Sequence, residues 1–457
     1  MSSSAVLPKD NIVRRISRRI NVSIERYLPD AFIFALVLTF VVFLMGLFIA
    51  KETPFKMITH WADGFWGFLA FSMQMVLILV TGQCIAQASL VSGWIKKLAQ
   101  LPKTPAAPYV ITVLVSAVAG WINWGMGLVF GALIAKQMAA QNKDTDFPLL
   151  IAAAYSGAYA GIFGLSITAP LLVNTPGHFL EEKIGLIPVS QTILHPATLI
   201  TVIVIAVLTA LAFKLMRPTK EEEIHSLSKL GLEVETEVAS SSVTVTQEKT
   251  LASYLENSWV ITLIVVIGGL LYIINHFINK GFDLNLNILN FTFLIVGLAL
   301  HKSPINYVNA VIDSVKSVYG IILQFPFYAG IMGMMSGSGL ISIIALWFVS
   351  FSTTFTFPFF SFLSCTVVNM FVPSAGGQWM IQGPILVEAG QALGVADNLI
   401  VNAYTYGDLC TNLIQPFWAL PVLGIAGLKM KDIWGYTSIA CIIYFVVSTV
   451  SLFLQAM

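Results

Sequence analysis

An all-α polytopic membrane protein, with about nine transmembrane helices and two re-entrant hairpins in an inverted-topology repeat, is the fold this 457-residue sequence predicts. Three observations carry the prediction: composition, the spacing of charges, and an internal similarity between the two halves. Apolar residues make up 57% of the chain and charged residues 10%, with a mean hydropathy of +0.83, whereas soluble proteins carry about 25% charged residues. Eight charges fall in 1–29 and twelve in 217–256. Elsewhere run uncharged stretches such as Ala31 to Ala50, Gly64 to Ile95, Phe147 to Leu180 and Ile184 to Phe213. Each can cross a hydrocarbon core of roughly 30 Å, which needs about 20 helical residues. Disorder, collagen, a disulfide scaffold and a cytosolic enzyme are excluded together. So is an outer-membrane barrel, whose segments of about 10 residues alternate polar and apolar.

Residues 1–29 form a basic, cytoplasmic N-terminus, followed by an apolar stretch too long for a signal-peptide core. The first membrane unit, 30–216, holds helices near 31–50, 64–88, 148–173 and 193–216. Residues 217–256, with eight Glu and a Ser/Thr/Val stretch lacking helical periodicity, read as a flexible, solvated cytoplasmic linker. The second unit, 257–457, holds helices near 258–276, 284–300, 319–338, 398–427 and 433–455. Cys84, Cys365, Cys410 and Cys441 sit in apolar runs without Cys-x-x-Cys spacing and read as packing residues.

Two further apolar stretches, 105–140 and 357–393, are broken in the middle, at Trp121-Ile122-Asn123-Trp124-Gly125 and at Val372-Pro373-Ser374-Ala375-Gly376-Gly377. Their arms, at roughly 21 to 24 Å of helix, fall short of a crossing. Lys and Arg accumulate in cytoplasmic loops. If both stretches enter and leave on one side, 20 of the 24 basic residues are cytoplasmic, with Lys51, Lys56, Lys183 and Lys280 outside. If each crosses once, only 13 are inside. The re-entrant arrangement follows, with the C-terminus on the periplasmic side. The run from Ser317 to Val387 makes the same point: it lacks any charge for 71 residues, and as one helix it would be about 105 Å long.

At a shift of 250 residues, Thr53-Pro54 meets Ser303-Pro304, Asp63 meets Asp313 and Gln74 meets Gln324. At 249, Ala154-Tyr155-Ser156 meets Ala403-Tyr404-Thr405. Such order at a nearly constant offset indicates a two-fold repeat. The charge count puts the two hairpins on opposite sides, so the repeat is inverted. Paired interrupted elements in matching positions point to the binding site of a secondary transporter.

The candidate site residues follow from those interruptions. Asn123 and Gly125 mark the first hairpin tip, and Ser374, Gly376 and Gly377 the second. The helix after each hairpin is itself interrupted, in the first half over Gly161 to Pro176, with Ser166, Thr168, Asn174 and Thr175. In the second half the interruption is read at Gly407, Asp408, Thr411, Asn412, Gln415 and Pro416. Neutral oxygens with unwound carbonyls suit a monovalent cation, and half-helix N-termini suit a carboxylate. The competing reading is that Gly, Ser and Thr serve close packing and Pro kinks helices; it holds for Ser166 or Ser156 alone, while symmetric placement favours function at the tips. Asp408 is the single carboxylate inside a predicted span, where an acid is by default functional. Its alternative role is to hold the helix break open by hydrogen bonding. Asp63 and Asp313 read as N-terminal caps or dipole partners, and Glu388 and Lys136 as solvated ends of hairpin arms. Trp121, Trp124 and Trp379 flank the tips, to wall a pocket or simply to pack. The six histidines are scattered; His178 with Glu181 and Glu182 is one ligand short of a zinc pattern and reads as a loop. Neither a Gly-x-Ser-x-Gly motif nor a phosphate-binding Gly-x-x-x-x-Gly-Lys motif is present.

With Trp121-Ile122-Asn123-Trp124-Gly125-Met126-Gly127-Leu128 in one half and Asn369-Met370-Phe371-Val372-Pro373-Ser374-Ala375-Gly376-Gly377-Gln378-Trp379 in the other, the chain resembles the bacterial short-chain fatty acid transporter family. The likeness runs from the basic N-terminus through Leu28-Pro29-Asp30 to the last helix. It implies uptake of small monocarboxylates such as butyrate, acetate or acetoacetate across the bacterial inner membrane. It also implies a place in the ion transporter superfamily, with inverted repeats, paired hairpins, a mobile transport domain and a homodimer. The expected partners are the acid, the bilayer and a second copy, with no nucleic acid. No cofactor is expected beyond a transported Na⁺ or H⁺, and no resident metal. The expected mechanism is cation-coupled symport by alternating access. The alternatives are another small organic anion on the same scaffold, a passive channel, which would need a ring of charges, and a membrane-embedded enzyme, which lacks its catalytic pairs.

Overall fold

Within a bilayer the backbone must satisfy its own hydrogen bonds, so apolar stretches become helices. In the computed structural model, which describes residues 31–142, 144–218, 224–232, 250–316, 318–370, 372, 374–415 and 417–457, every regular element among the described residues is helical. The basic N-terminus, most of the linker, Pro373 and Pro416 lie outside the described residues. In chain order the first half holds α1 (Ala31–Phe48), α2 (Pro54–Gly64), α3 (Leu69–Gln87), α4 (Ser89–Leu98), α5 (Ala107–Ile122), α6 (Trp124–Gln141), α7 (Phe147–Gly161), α8 (Thr168–Leu172), α9 (Glu181–Ile184) and α10 (Pro196–Met216). After the linker come α11 (Leu251–Glu256), α12 (Trp259–Lys280), α13 (Leu286–His301), α14 (Pro304–Val315), α15 (Tyr319–Gly337), α16 (Leu340–Phe351), α17 (Phe357–Asn369), α18 (Ala375–Ala392), α19 (Asp397–Asn412), α20 (Leu420–Ala426) and α21 (Met430–Gln455).

Among the described residues, five helical stretches are long and apolar enough to cross a membrane by length and composition: α3, α10, the α11–α12 run, α15 and α21. The expected span near 31–50 is the 18-residue α1, that near 284–300 is the 16-residue α13, and those near 148–173 and 398–427 are pairs of shorter helices. The span expected near 64–88 starts later, at Leu69, as α3, with the turn residues 65–68 joining it to α2. Thr53 and Ser303, each before a proline at the first helical position, start α2 and α14, as helix-start chemistry favours. Asp63 and Asp313 are not N-terminal caps. They lie in the last turns of α2 and α14, while Phe68 and Val318 occupy the cap positions of the helices that follow. Both are exposed, and Asp313 pairs with Lys316 at 3.1 Å.

The helices from α2 to α8, α1 and α9 set aside, recur from α14 to α20, each starting 250 to 252 residues after its counterpart. Their contacts recur too: α5 lies on α7 and α17 on α19, and α3 lies on α6 and α15 on α18. The short helices are exchanged, α2 packing on α15 and α14 on α3, which interlocks the halves. All fifteen residues of α7 and fourteen of the sixteen in α19 are buried, so these two are the central helices. Glycines bring them close to their hairpins. A Cβ on Gly157 or Gly161 would fall on the α5 backbone at Val113 or Ala117, and one on Gly407 on Cys365 and the Phe362 carbonyl of α17. Small residues at such contacts let backbones approach in membranes.

The described linker residues 224–232 are docked, unlike the solvated linker expected. Asp146 caps α7, its Oδ1 accepting from Leu149 N at 2.9 Å, while its Oδ2 accepts from His225 N at 3.0 Å and faces His225 Nδ1 at 3.2 Å. Phe147 N donates to the His225 carbonyl at 3.0 Å, Leu227 is buried, and Leu232 reaches Gly427 at the end of α20.

Candidate functional site

The two broken stretches are interrupted by the same device. At the first, Asn123 alone is extended, at φ −152° and ψ 126°, between α5 and α6. Its Oδ1 accepts from Met126 N at 2.8 Å and its Nδ2 donates to the Ile78 carbonyl at 3.2 Å. The side chain fits because Gly82 offers no Cβ against it. Ser166 Oγ accepts from Trp124 N at 2.8 Å, so a second polar side chain from beyond α7 closes the tip. At the second, Ser374 Oγ accepts from Gly377 N at 3.3 Å, three residues on, as Asn123 does. Gln378 Nε2 donates to the Cys365 carbonyl at 2.9 Å and joins the arms. Gly376 and Gly377 admit the rings of Phe71 and Tyr328 at the start of α18.

The interrupted helices meet these tips. The segment 162–167 separates α7 from α8, and residues after Asn412 separate α19 from a 3-10 turn, Phe417–Ala419, and α20. Gly407, Asp408, Thr411 and Asn412 therefore stay inside α19, and the break comes later than the sequence reading placed it. Gly407 serves close packing on α17 and leaves the helix unbroken. Asn369, at the end of α17, secures the end of α19: its Nδ2 lies 2.7 Å from the Asp408 carbonyl, 2.9 Å from Thr411 Oγ1 and 2.9 Å from Asn412 Oδ1.

Between tips and breaks lies a cavity of about 40 Å³. Since one water-sized group needs about 10 to 15 Å³, it holds a few such groups. Thr168, Ser374, Gly376, Asp408 and Asn412 line it, with Trp124, Tyr159, Phe325 and Trp418 as aromatic walls. Asp408 is 1% exposed, and its Oδ1 has no hydrogen-bond partner among the described residues. The indole N–H of Trp124 is likewise buried and unpartnered. Residues bearing a carboxylate, hydroxyls, an amide and indole N–H groups thus line a mostly apolar space. Among the described residues no cluster of three metal-ligating side chains is found.

The other residues singled out in the sequence lie elsewhere. Asn123, Gly125 and Ser166 hold the first tip behind Trp124; Gly377 and Thr411 sit behind the second half of the cavity. Asn174 Nδ2 donates to Asp283 Oδ1 at 3.2 Å and the Leu284 carbonyl at 3.1 Å, and Thr175 Oγ1 accepts from Leu286 N at 3.2 Å, so both fasten the start of α13. Of the three tryptophans named, Trp124 walls the cavity, while Trp379 is fully buried against Tyr404 at 4.7 Å. Sequence reasoning did not select Asn369, Tyr159 or Trp418. Asn369 was visible as an amide closing an otherwise apolar arm; the two aromatic residues had no local signal.

Pairs of broken helices around a small, mostly apolar cavity with a buried carboxylate define a multi-pass membrane transport protein. A family model described as short chain fatty acid transporter matches residues 12–455, and the chain belongs to that family. It is 39% identical over 425 residues to an Escherichia coli (strain K12) protein named for short-chain fatty acid transport, covering 93% of this chain and 96% of that one. A Haemophilus influenzae protein of the same naming is 36% identical over 438 residues, covering 94% and 97%. Among solved structures, the YdaH transporter of Alcanivorax borkumensis shares the fold at TM-score 0.54 and 16% identity, covering 96% of this chain and 98% of its own. MtrF of Neisseria gonorrhoeae, described within a class of antimetabolite efflux pumps, does so at 0.52 and 16%, covering 94% and 97%. The chain is a transporter and not an enzyme.

Proposed function

We propose that this transporter takes up short-chain monocarboxylates of the butyrate, acetate and acetoacetate class, each together with a cation, by alternating access at the central cavity. The carrying observation is the buried Asp408 carboxylate, whose Oδ1 has no hydrogen-bond partner among the described residues, in a small, mostly apolar cavity. A substrate carboxylate entering beside it would be repelled by about 4 kcal/mol at 4 Å with an effective dielectric constant near 20. A cation bound with the acid removes that repulsion, which makes co-binding the favourable route and links the two fluxes. A proton suits the site better than Na⁺, because the neighbouring amide oxygen, Asn412 Oδ1, already accepts from Asn369 and from Gln415 at 3.1 Å. The acid's carboxylate would meet the Trp124 N–H and the Ser374 hydroxyl, and its short tail the aromatic walls.

On this reading the two halves are an inverted repeat, 30–216 and 257–457, the hairpins 105–140 and 357–393 are re-entrant from opposite sides, and the N-terminus is cytoplasmic. The protein works as a homodimer in the bacterial inner membrane. Labelled butyrate uptake by proteoliposomes under imposed pH or Na⁺ gradients tests the substrate and the ion together. Accumulation driven by the pH gradient, and competed by acetate and acetoacetate more than by a dicarboxylate, is expected. Uptake indifferent to both gradients, or competed best by the dicarboxylate, would contradict it.

A further inference from the structure

Helix α19 carries a polar stripe that the cavity alone does not explain. Asn398, Asn402, Thr405, Asp408 and Asn412 follow at steps of four, three, three and four residues, a spacing that puts them on one face of a helix. Asn398 stands at the surface end, its Nδ2 donating to the Gln191 carbonyl at 3.2 Å. Asp408 and Asn412 stand at the cavity. Between them Asn402 is 0% exposed, and neither its Nδ2 nor its Oδ1 has a hydrogen-bond partner among the described residues. Thr405, 1% exposed, donates to the Val401 carbonyl at 2.7 Å and keeps its lone pairs free to accept.

Packing does not require this stripe. In the sister helix α7, which occupies the matching place in the first half, the positions 250 residues earlier are Pro148, Ala152, Tyr155 and Ala158. Alanine fills the place of Asn402 at this offset and also, as Ala153, at the offset of 249 that matches Ala154-Tyr155-Ser156 with Ala403-Tyr404-Thr405; at 249 the place of Asp408 is Tyr159. Among the described residues Asn402 does not join two helices by a hydrogen bond either, which is the usual structural use of a buried amide in a membrane bundle. An amide buried with both ends unpaired is costly, by about 1 to 3 kcal/mol for each group left unsatisfied, and such groups are met by water held in the interior. The next turn adds more polar surface: the Tyr406 hydroxyl faces Thr198, Thr201 and Ser451, of which Thr201 and Ser451 bond to each other at 2.6 Å. The titratable side chains in the field of Asp408 are Tyr159, Tyr404, Tyr444 and Cys365, none of them basic.

We propose that the stripe Asn398, Asn402 and Thr405 on α19 is the path by which protons reach and leave Asp408, with Asn402 as the positioning residue that orders its water. The inference rests on the proton-coupled reading above. Asp408 would exchange its proton with the membrane surface along this face, so that the substrate does not have to carry it through the cavity.

The test compares two assays on one proteoliposome preparation: butyrate uptake driven by a pH gradient, and butyrate counterflow at equal pH, which needs no proton release. Asn402→Leu is expected to lower gradient-driven uptake by about tenfold or more and to leave counterflow within about twofold of wild type. Asn402→Gln, which restores an amide, is expected to recover most of the driven uptake. Thr405→Val serves as an independent variant with the same expected split should Asn402→Leu fail to fold. Wild-type driven uptake in both Asn402→Leu and Thr405→Val, or an equal fall of uptake and counterflow, overturns the path alone. A wild-type protein that ignores the pH gradient overturns the coupling reading and the path with it.

Discussion

Individual side chains divide into those that face the cavity and those that make the cavity's shape. Asn123 belongs to the second kind: it caps α6 and ties the tip to the Ile78 carbonyl. Asn123→Ala is expected to lower stability by about 1 to 2 kcal/mol, read as a lower melting temperature, with substrate affinity changed less than in Ser374→Ala. An unshifted melting curve would remove the capping role. His178 allows a pH prediction outside the membrane. Its Nε2 faces the Gly185 carbonyl at 3.0 Å and its Nδ1 accepts from Leu180 N at 3.3 Å, the pattern of a neutral ring. Burial holds its pKa below the ordinary histidine value, the Gly185 bond and Glu181 opposing the shift. The unfolded chain therefore takes up the proton more readily, so this contribution to stability is complete above the ordinary value and is lost as pH falls beneath it. Hydrogen-exchange protection around residues 177–187, taken relative to the base-catalysed intrinsic rate at each pH, should fall between about pH 7.5 and about pH 5.5; a flat protection profile would contradict the assignment. Asp408, Ser374 and Thr168 could be picked out in the sequence because a polar residue inside an apolar run stands out. Trp124 and Tyr159 could not be given their places, since one aromatic residue among 54 looks like any other until helices cross.

At the scale of elements, the central breaks could be read in the sequence, at Asn123 and Ser374, because a polar helix-cap residue inside an apolar stretch interrupts it. The 11- and 12-residue helices α2 and α14 were not expected as separate elements, although Thr53-Pro54 and Ser303-Pro304 are helix-start signals. Segments of about 20 apolar residues dominate a hydropathy reading and absorb such short pieces. The docked linker was hidden for a different reason: its holdfast, Asp146, lies 79 residues away from His225 in the chain. Asp146→Ala removes the α7 cap and the His225 contacts at once, and protease accessibility of 224–232 should rise; unchanged cleavage would show that the segment docks without it. The glycine contacts carry the sharpest element-scale prediction. Gly161→Val would drive a side chain into the Ala117 carbonyl of α5, where backbone cannot give way. The variant should lose its monodisperse peak in detergent, while Gly93→Val, at a glycine with open space around it, should keep it.

For the molecule as a whole, helix starts recurring at an offset of about 250 residues and exchanged short helices describe two similar halves. The offset was legible in the sequence through a few matched pairs; the exchange of α2 and α14 was not, because it depends on contacts between halves. The proposed orientation makes a labelling prediction: single cysteines at Lys183 and Lys280 should react with an impermeant reagent from outside, and those at Lys103 and Lys136 only from inside. The opposite pattern would invert the topology. The central claim, that Asp408 links a cation to a small acid, is tested most directly by Asp408→Asn in proteoliposomes. Gradient-driven accumulation of butyrate should fall by about tenfold or more while counterflow persists. Wild-type accumulation by the correctly inserted variant would contradict the account.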